Sequence, residues 1–391
     1  RSLRRSKLTA FSIAWICVTL VPASNIIYLS GRPIAEQRLY IPSFGFCLLL
    51  SLIVRRLFSE KRRYVNITAV LLIIAPNSLT VVTHNRVWKD SLTFWQKAVR
   101  RSPNNPRAYN NLGKAYFEAG DTDKALSLFD KSIRMDASNP YAFKNLGMAF
   151  EKLGNNEEAA SMYTRSIEVD PKFAGGYNAL GTALGKLGRY DEEVDSYTRA
   201  LTLDPYDSLA YNNLGIAYSR IGNIDKAFEA YQKAIEINPY FAEAYINLGV
   251  LHTGMGNNEE AIALFRKAST FTSNYEQASM YLGLALNRNG NVKDAIETFS
   301  DVIRHSPEYV QAYIQLGTLY ADRDRASEAI ALFTKALQID PSYAKAHHNL
   351  AVAYFSLKEI GKAVEHSDRA AELGYKAPEK FLRILEEYRN K

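Results

Sequence analysis

Amide side chains recur at a fixed spacing through the last three quarters of this 391-residue chain. The spacing is 34 residues, and Ala179 and Tyr281 interrupt the series Asn111, Asn145, Asn213, Asn247, Gln315 and Asn349. Each amide offers both a donor and an acceptor, so a row of them can pair with the backbone of an extended peptide without reading its sequence. These six residues are the candidate peptide-binding groove. The alternative is that the amides satisfy only neighbouring backbone groups.

The other residue types that carry chemistry do not form a recognisable site. His347 and His348 are adjacent on a predicted helix and point in different directions, which makes them poor joint metal ligands. Cys17 and Cys47 both lie in apolar runs, so neither a disulfide framework nor a Cys-ligated metal site is expected. No phosphate loop, nucleophile elbow or paired-carboxylate motif stands out. We expect no catalytic residue, no metal and no cofactor in this chain. The remaining histidines are scattered: His84, His252, His305 and His366.

The spacing of the amides is the period of a larger repeat that starts at Pro106, here numbered position 1. Leu-Gly recurs at positions 7 and 8, alanine at 20, an aromatic residue at 24 and proline at 32. Gly at 8 and Ala at 20 let two helices approach closely, while the ring at 24 fills the space beside them. Glycine at position 15 can adopt the left-handed conformation that ends the first helix. Proline at 32 ends the second helix.

These positions resemble the tetratricopeptide repeat (TPR), and eight repeats follow one another over residues 106–377. One helical hairpin cannot bury its apolar face alone, so the resemblance implies an all-α right-handed superhelix with a concave face. Positions 2, 5, 6, 9, 12 and 13 of each first helix are expected to face that groove, which places the amides, at position 6, inside it. The TPR domain of O-GlcNAc transferase is similar in using such an asparagine row.

Both ends of the array carry a helix that can close it. Residues 378–391 place Phe381, Leu382, Leu385 and Tyr388 on one helical face, which predicts a C-terminal capping helix. Residues 89–105 carry Trp95 and Pro103 in the register of a second helix, which predicts a half-repeat junction helix. Our hypothesis is that the array is built directly onto the last membrane helix, predicted below at about 64–83, without a flexible linker.

Charge separates the array from the first quarter of the chain. The formal net charge is +7, but residues 1–90 hold 13 Lys and Arg against 3 Asp and Glu. The rest of the chain therefore carries a net charge of −3. A basic balance confined to one end, beside apolar runs, argues against a nucleic-acid partner.

Apolar runs in residues 1–88 predict a membrane segment of about three transmembrane helices, at about 8–29, 40–58 and 64–83. A secretory signal peptide is disfavoured because further apolar runs follow the first. Basic residues precede run one and lie between runs two and three, whereas only Arg32 and Arg38 lie between runs one and two. If all three runs cross, the array is extracytoplasmic: periplasmic, extracellular or in the lumen of the endoplasmic reticulum. If run two only dips into the bilayer, the array faces the cytoplasm.

The stretch from Ala35 to Cys47 and the later stretch from His84 to Asp90 resemble the end of the membrane domain of the TMTC (transmembrane and TPR-containing) family. Gln37 separates Glu36 from Arg38, whereas the animal members have the Arg directly after the Glu. The resemblance implies a C-type membrane glycosyltransferase that transfers a sugar, typically mannose, from a lipid-phosphate donor to Ser or Thr. It also implies that the acidic catalytic loop lies before Arg1, so we expect this sequence to be an inactive part of a longer enzyme.

Glu36, Arg38 and Tyr40 are the candidate lipid-phosphate contact, because a guanidinium suits bidentate phosphate binding. An interfacial Arg-Tyr anchor paired with Glu36 is the alternative. For the whole chain we predict a membrane-anchored module that binds polypeptide segments and presents them to an adjoining protein O-glycosyltransferase. Its partners would be proteins or extended peptides and membrane lipid. The alternative function is a non-enzymatic, membrane-tethered scaffold for a protein complex.

Overall fold

The computed structural model describes residues 91–272 and 274–389, and it divides the chain into two compact units between Arg101 and Ser102. The described part of the first unit is helix α1, Ser91–Arg101. No helix within residues 91–272 and 274–389 is both long and apolar enough to cross a membrane. The predicted spans at 8–29, 40–58 and 64–83 lie outside the described residues, so they remain predictions.

The second unit is an all-α superhelix of paired helices followed by one further helix. The first helices of the pairs are α2 Pro106–Glu118, α4 Pro140–Lys152, α6 Ala174–Lys186, α8 Ser208–Arg220, α10 Ala242–Gly254, α12 Tyr275–Arg288, α14 Val310–Ala321 and α16 Ala344–Ser356. Their second helices are α3 Thr122–Met135, α5 Asn156–Val169, α7 Tyr190–Leu203, α9 Ile224–Ile237, α11 Asn258–Ala268, α13 Val292–His305, α15 Ala326–Ile339 and α17 Ile360–Glu372. The last helix is α18 Glu379–Arg389.

Short polar side chains start several of these helices. The Asn105 side chain accepts a hydrogen bond from the Arg107 backbone N–H at 3.0 Å, and Pro106 begins α2 where a free N–H has no helical partner. Asp121 caps α3 in the same way by accepting from the Lys124 backbone N–H at 3.2 Å. A capping side chain therefore marks the start of the first, second and fourth hairpins, where Asn105, Asn139 and Asp207 accept a hydrogen bond from the first turn.

Left-handed residues end the first helices, as the repeat predicts. Position 15 has a positive φ in the first six repeats, where glycine occupies it. In the last two repeats Asp324 and Lys358 adopt the same conformation, with φ of 55° and 61°. A side chain is strained there, so this turn is imposed by the packing of the hairpin around it.

Each of the first seven hairpins is held by an aromatic ring lying against a glycine. A Cβ added to Gly113 would stand 2.7 Å from the Phe129 ring, and one added to Gly283 would stand 2.5 Å from the Phe299 ring. Ala125 and its equivalents at position 20 are fully buried beside the ring. The eighth repeat departs from this rule at both positions, since Ala351 replaces the glycine and the buried Ser367 replaces the ring. Ala351 is fully buried, so a methyl group is accommodated at position 8 where no ring stands at position 24.

Helix α18 packs on the last repeat through the face that the sequence predicted. Leu385 is 1% exposed, and the Phe381 ring lies 5.9 Å from the Phe355 ring and 5.6 Å from the His348 ring, centroid to centroid. Tyr388 contacts Phe355 from two turns after Phe381. The apolar end of the array is thereby covered.

Candidate functional site

The first helices lie on the inner side of the superhelix. Consecutive first helices approach one another more closely than consecutive second helices do. All six amides predicted to line the groove, Asn111, Asn145, Asn213, Asn247, Gln315 and Asn349, are half-buried on these helices. Ala179 and Tyr281 occupy the same position in the third and sixth repeats.

Position 5 behaves differently from the expectation that it faces the groove. Asn110, Asn212, Ile246 and Ile314 at this position are buried, and Asn212 and Ile246 are nearly inaccessible. The stacking of one repeat on the next covers them. The expectation was wrong at these positions because the helical register alone does not show how far each first helix rotates toward its neighbour.

Two of the predicted groove amides bond to the repeat before them. The Asn145 Nδ2 donates to Asn110 Oδ1 at 3.0 Å, and the Asn247 Nδ2 donates to Asn212 Oδ1 at 2.9 Å. A longer contact of 3.5 Å joins Asn349 Nδ2 to the Thr318 hydroxyl. These amides therefore take part in the stacking of repeats through side-chain partners, rather than through the neighbouring backbone groups that the sequence analysis gave as the alternative.

The other three amides have no such bond. Within the described residues, the side-chain amides of Asn111, Asn213 and Gln315 make no hydrogen bond to another protein group. They come from the first, fourth and seventh repeats, so they recur with three-repeat spacing along the inner side. Their donors and acceptors are available to a ligand, whereas those of Asn145 and Asn247 are partly used.

Charged and hydroxyl groups form the floor of the groove in the second to fourth repeats. The Tyr163 hydroxyl donates to Glu151 Oε2 at 2.7 Å, and the Lys186 Nζ contacts Glu151 Oε1 at 2.7 Å from the next repeat. Thr182 and Tyr197 share a hydroxyl–hydroxyl hydrogen bond of 3.0 Å. Burial raises the pKa of Tyr197 to about 12.

Glu193 is the buried charge of this floor. It replaces the usual alanine at position 20, is 2% exposed, and pairs with Arg220 Nη1 of the following repeat at 2.8 Å. Its second oxygen, Oε2, has no hydrogen-bonding partner. Burial raises the pKa of the Glu193 carboxyl, and Arg220 opposes that rise. Gly185 makes the room, because a Cβ there would collide with the Glu193 carboxylate.

A cavity of about 580 Å³ opens between the fourth and fifth repeats, beside this pair. Its walls are formed by first helices α8 and α10, with Tyr231 and Ile224 behind them. Asn247 lines the cavity, which places one predicted groove residue at a concave, ligand-sized site. The residues lining it are Ile216, Ser219, Arg220, Ile224, Tyr231, Asn247, Val250, Leu251, Gly254 and Met255.

The structure also brings together histidines that the sequence left apart. His347 Nδ1 and His366 Nδ1 are 3.0 Å apart, and the His366 ring is stacked on Tyr354. His348 is buried against Tyr375. Within the described part of the chain, no three or more His, Cys, Asp or Glu side chains form a group that could hold a metal ion. Sequence reasoning missed the His347–His366 contact because it joins two helices, and no local spacing signals it.

The second predicted site lies outside the described residues. Glu36, Arg38 and Tyr40, the candidate lipid-phosphate contact, belong to the first quarter of the chain. Their assignment therefore remains a prediction from the sequence.

Stacked helical hairpins with an open inner face define a helical-repeat protein-interaction module. Family profiles described as tetratricopeptide repeat or TPR repeat match residues 94–127, 113–154, 144–208, 208–241, 230–263, 270–310, 317–358 and 344–373. The chain is a tetratricopeptide repeat protein. Its fold indicates protein or peptide partners.

Curated relatives point to one group of proteins that carry such repeats. Over the TPR region, the chain is 31% identical across 124 residues to the protein O-mannosyl-transferase Tmtc2 of Drosophila melanogaster. A protein O-mannosyl-transferase of Caenorhabditis elegans is 35% identical across 112 residues. These matches cover 31% and 28% of this chain, but only 13% and 15% of the two relatives.

Solved structures support the fold. The APC/C hetero-tetramer Cut9-Hcn1 superposes with a TM-score of 0.50 at 21% identity, over 67% of this chain and 52% of that one. At this identity the likeness concerns the helical superhelix alone.

Proposed function

We propose that the TPR array binds extended polypeptide segments on its inner side, as the substrate-presenting part of a membrane-anchored protein O-mannosyl-transferase. The observation that carries the binding is the set of half-buried, unpartnered amides Asn111, Asn213 and Gln315. Because no protein group uses the donors and acceptors of these amides, a ligand can bind them without breaking an internal hydrogen bond. A peptide backbone offers alternating donors and acceptors, which is what a row of amides can pair with.

The similarity to the fly and worm O-mannosyl-transferases supports the enzymatic context. Such a transfer places the sugar on a hydroxyl oxygen, so the acceptors would be Ser or Thr side chains. A hydroxyl in an extended segment is more accessible than one in a folded core. An array that holds segments extended beside the enzyme would raise the local concentration of acceptors.

The apolar runs and basic flanks of residues 1–88 support anchoring with the array outside the cytosol. In this arrangement Arg38 binds a lipid-linked phosphate, with Glu36 and Tyr40 beside it; an interfacial anchor built from the same residues is the competing role.

Orientation can be tested by cysteine labelling in microsomes. Glu157 is exposed, so Glu157→Cys gives a reporter on the array, while the native Cys17 and Cys47 in the apolar runs serve as the parent background. A membrane-impermeant maleimide should label the variant only after detergent opens the vesicles. Labelling in sealed microsomes would place the array on the cytosolic side and overturn the orientation.

Peptide binding can be tested with the full chain in detergent and a phage-displayed library of random peptides as the probe. The triple variant N111A/N213A/Q315A should lose affinity for selected peptides while its unfolding midpoint stays unchanged, because no internal hydrogen bond is removed. Asn145→Ala is the matched control: it breaks the bond to Asn110, so it should lower stability while peptide affinity stays unchanged.

Unchanged affinity in the triple variant would remove the amide row from the proposal. A library that yields no binding peptide would favour the scaffold that gathers folded partners.

A further inference from the structure

The cavity between the fourth and fifth repeats combines apolar walls with one charged edge. Val250 is 43% exposed and Met255 is 44% exposed, although both are apolar. Ile216 stands at the same repeat position as Val250, one repeat earlier, and lines the same cavity. Apolar side chains facing a ligand-sized concavity gain free energy when another apolar group displaces water from them.

Small residues give this cavity its depth. Ser219 at position 12 and Gly254 at position 13 line it, where other repeats carry Phe117, Glu151 or Lys152. A cavity of 580 Å³ falls within the range of about 300–1,000 Å³ typical of ligand pockets. It therefore has room for an aliphatic side chain together with the backbone that carries it.

Arg220 is the one charged residue among those that line the cavity. Glu193 holds its Nη1 from the buried side, and the Arg220 side chain remains 44% exposed. Glu193 is itself 2% exposed, so its carboxylate is screened from the groove while the guanidinium is not. An arginine fixed at one edge presents its remaining N–H groups in a set direction, which favours a carboxylate over a neutral group.

We propose that this cavity is the specificity pocket of the groove, and that it takes an aliphatic side chain from an extended segment with an Asp or Glu close to it in sequence. The aliphatic side chain lies between Ile216 and Val250, and the acidic side chain pairs with Arg220. Asn213 and Asn247 lie on the same two first helices and reach the peptide backbone. The pocket rests on the proposed peptide binding, to which it adds a sequence preference.

The test starts from the full chain in detergent and the phage-displayed library of random peptides. Selected peptides should be enriched in an aliphatic residue near Asp or Glu. A labelled peptide from this selection is then measured by fluorescence anisotropy against Val250→Asp and its matched control Val352→Asp. Val352 holds the same repeat position in the eighth repeat and is 41% exposed, so both variants should fold.

We expect V250D to weaken binding by about tenfold or more, because it sets a charge against the aliphatic side chain and a like charge near the acidic one. V352D should bind as the parent does. Replacing the peptide's acidic residue by its amide should weaken binding to the parent but have little further effect on Arg220→Lys, which keeps a charge for Glu193 but loses the fixed fork.

Equal affinity of V250D and V352D, or selected peptides without the paired pattern, would overturn the pocket while peptide binding itself stands. If the library yields no peptide at all, the proposed function fails with it.

Discussion

The second to fourth repeats and the fifth to seventh repeats form the same hairpin, but the side chains at the base of the groove differ between them. Residues 140–241, the polar-floored repeats, place Tyr163, Tyr197 and Tyr231 at position 24, and each hydroxyl reaches a polar group on its first helix. Residues 242–343, the apolar-floored repeats, place Phe265, Phe299 and Phe333 there. Position 5 follows the same division, with Lys144, Asn178 and Asn212 before Ile246, Met280 and Ile314.

The two regions also differ in how one repeat joins the next. Ion pairs cross repeat junctions in the polar-floored repeats, from Lys186 to Glu151 and from Arg220 to Glu193. The fifth and sixth repeats and the first helix of the seventh share one buried apolar cluster that runs from Ile246 to Leu319. Phe333 belongs to a second apolar cluster, which joins the seventh repeat to the eighth. Hydrogen bonds are directional and apolar contacts are not, so the first region fixes its inner surface while the second can adapt it. The proposed pocket lies where the two meet.

The largest effect should be common to both regions. Phe299→Ala and Tyr197→Ala each remove a ring that lies against a glycine, and each should lower the free energy of unfolding by about 3–5 kcal/mol. Urea unfolding followed by circular dichroism measures this. Tyr206→Ala, at a ring that is 81% exposed, is the control and should stay within about 0.5 kcal/mol. A much smaller loss for Y197A would show that polar contacts, rather than the ring, hold the polar-floored repeats.

The next effect should belong to the polar-floored repeats alone. Arg220→Ala leaves Glu193 buried without its partner and should cost about 3 kcal/mol, the lower end of the range for broken buried pairs because Arg220 is partly exposed. Arg288→Ala removes the exposed arginine at the equivalent position of the sixth repeat and should change stability by under about 0.5 kcal/mol. Equal losses of stability in the two variants would contradict the distinction between polar-floored and apolar-floored repeats.

A smaller effect should follow from exchanging the rings. Tyr163→Phe removes the hydrogen bond to Glu151 and should lower stability by about 1–2 kcal/mol, since the acceptor is charged. Phe265→Tyr adds a hydroxyl to the apolar-floored repeats and should give no comparable gain. The same urea series measures both. If Y163F is neutral, the hydroxyls do not contribute to the polar floor.

The smallest effect should be a dependence of stability on pH. Its sign should be opposite at Glu193 and at the two histidines His348 and His366 of the last repeat. Burial raises the pKa of Glu193. Its contribution to the free energy of unfolding is therefore fully present below the ordinary Glu pKa and is lost as pH rises through the raised value. Burial lowers the pKa of His348 and His366. Their contribution is present above the ordinary His pKa and is lost as pH falls through the lowered values.

Hydrogen exchange with mass spectrometry, expressed as protection factors, separates the two places. From neutral to mildly acidic pH, protection should fall in α16 and α17 and hold or rise in α7. The reverse pattern would show that the two burial effects are assigned with the wrong sign. His366→Ala should reduce the acid sensitivity of the last repeat.

Much of the fold follows from the sequence because the determinants are local. Leu112-Gly113 and its equivalents set the phase of the repeat, and the glycines at position 15 mark where each first helix ends. The ring at position 24 could be placed against the glycine at position 8 from the need for close approach alone. Each of these rules acts within one hairpin.

The candidate site could be predicted only in part, because it depends on how repeats stack. The bonds of Asn145 to Asn110 and of Asn247 to Asn212 join neighbouring repeats, and the period of the sequence does not show the rotation between them. The sequence does carry one signal of the Glu193–Arg220 pair. Glu193 breaks a run of alanines while Gly185 supplies space nearby, and an acidic exception beside a new glycine suggests a buried pair.

The eighth repeat shows how the array can and cannot recombine. Its Ala351 and Ser367 lie on different helices of one hairpin. They replace the glycine and the aromatic ring that the other seven repeats pair at these positions. Unequal crossing-over at a boundary between repeats would move both together and yield a longer or shorter working array. A crossover inside the hairpin would set a methyl group under a ring, or leave a glycine facing a void. The pair therefore makes the whole hairpin, rather than the single helix, the unit in which such a gene can grow.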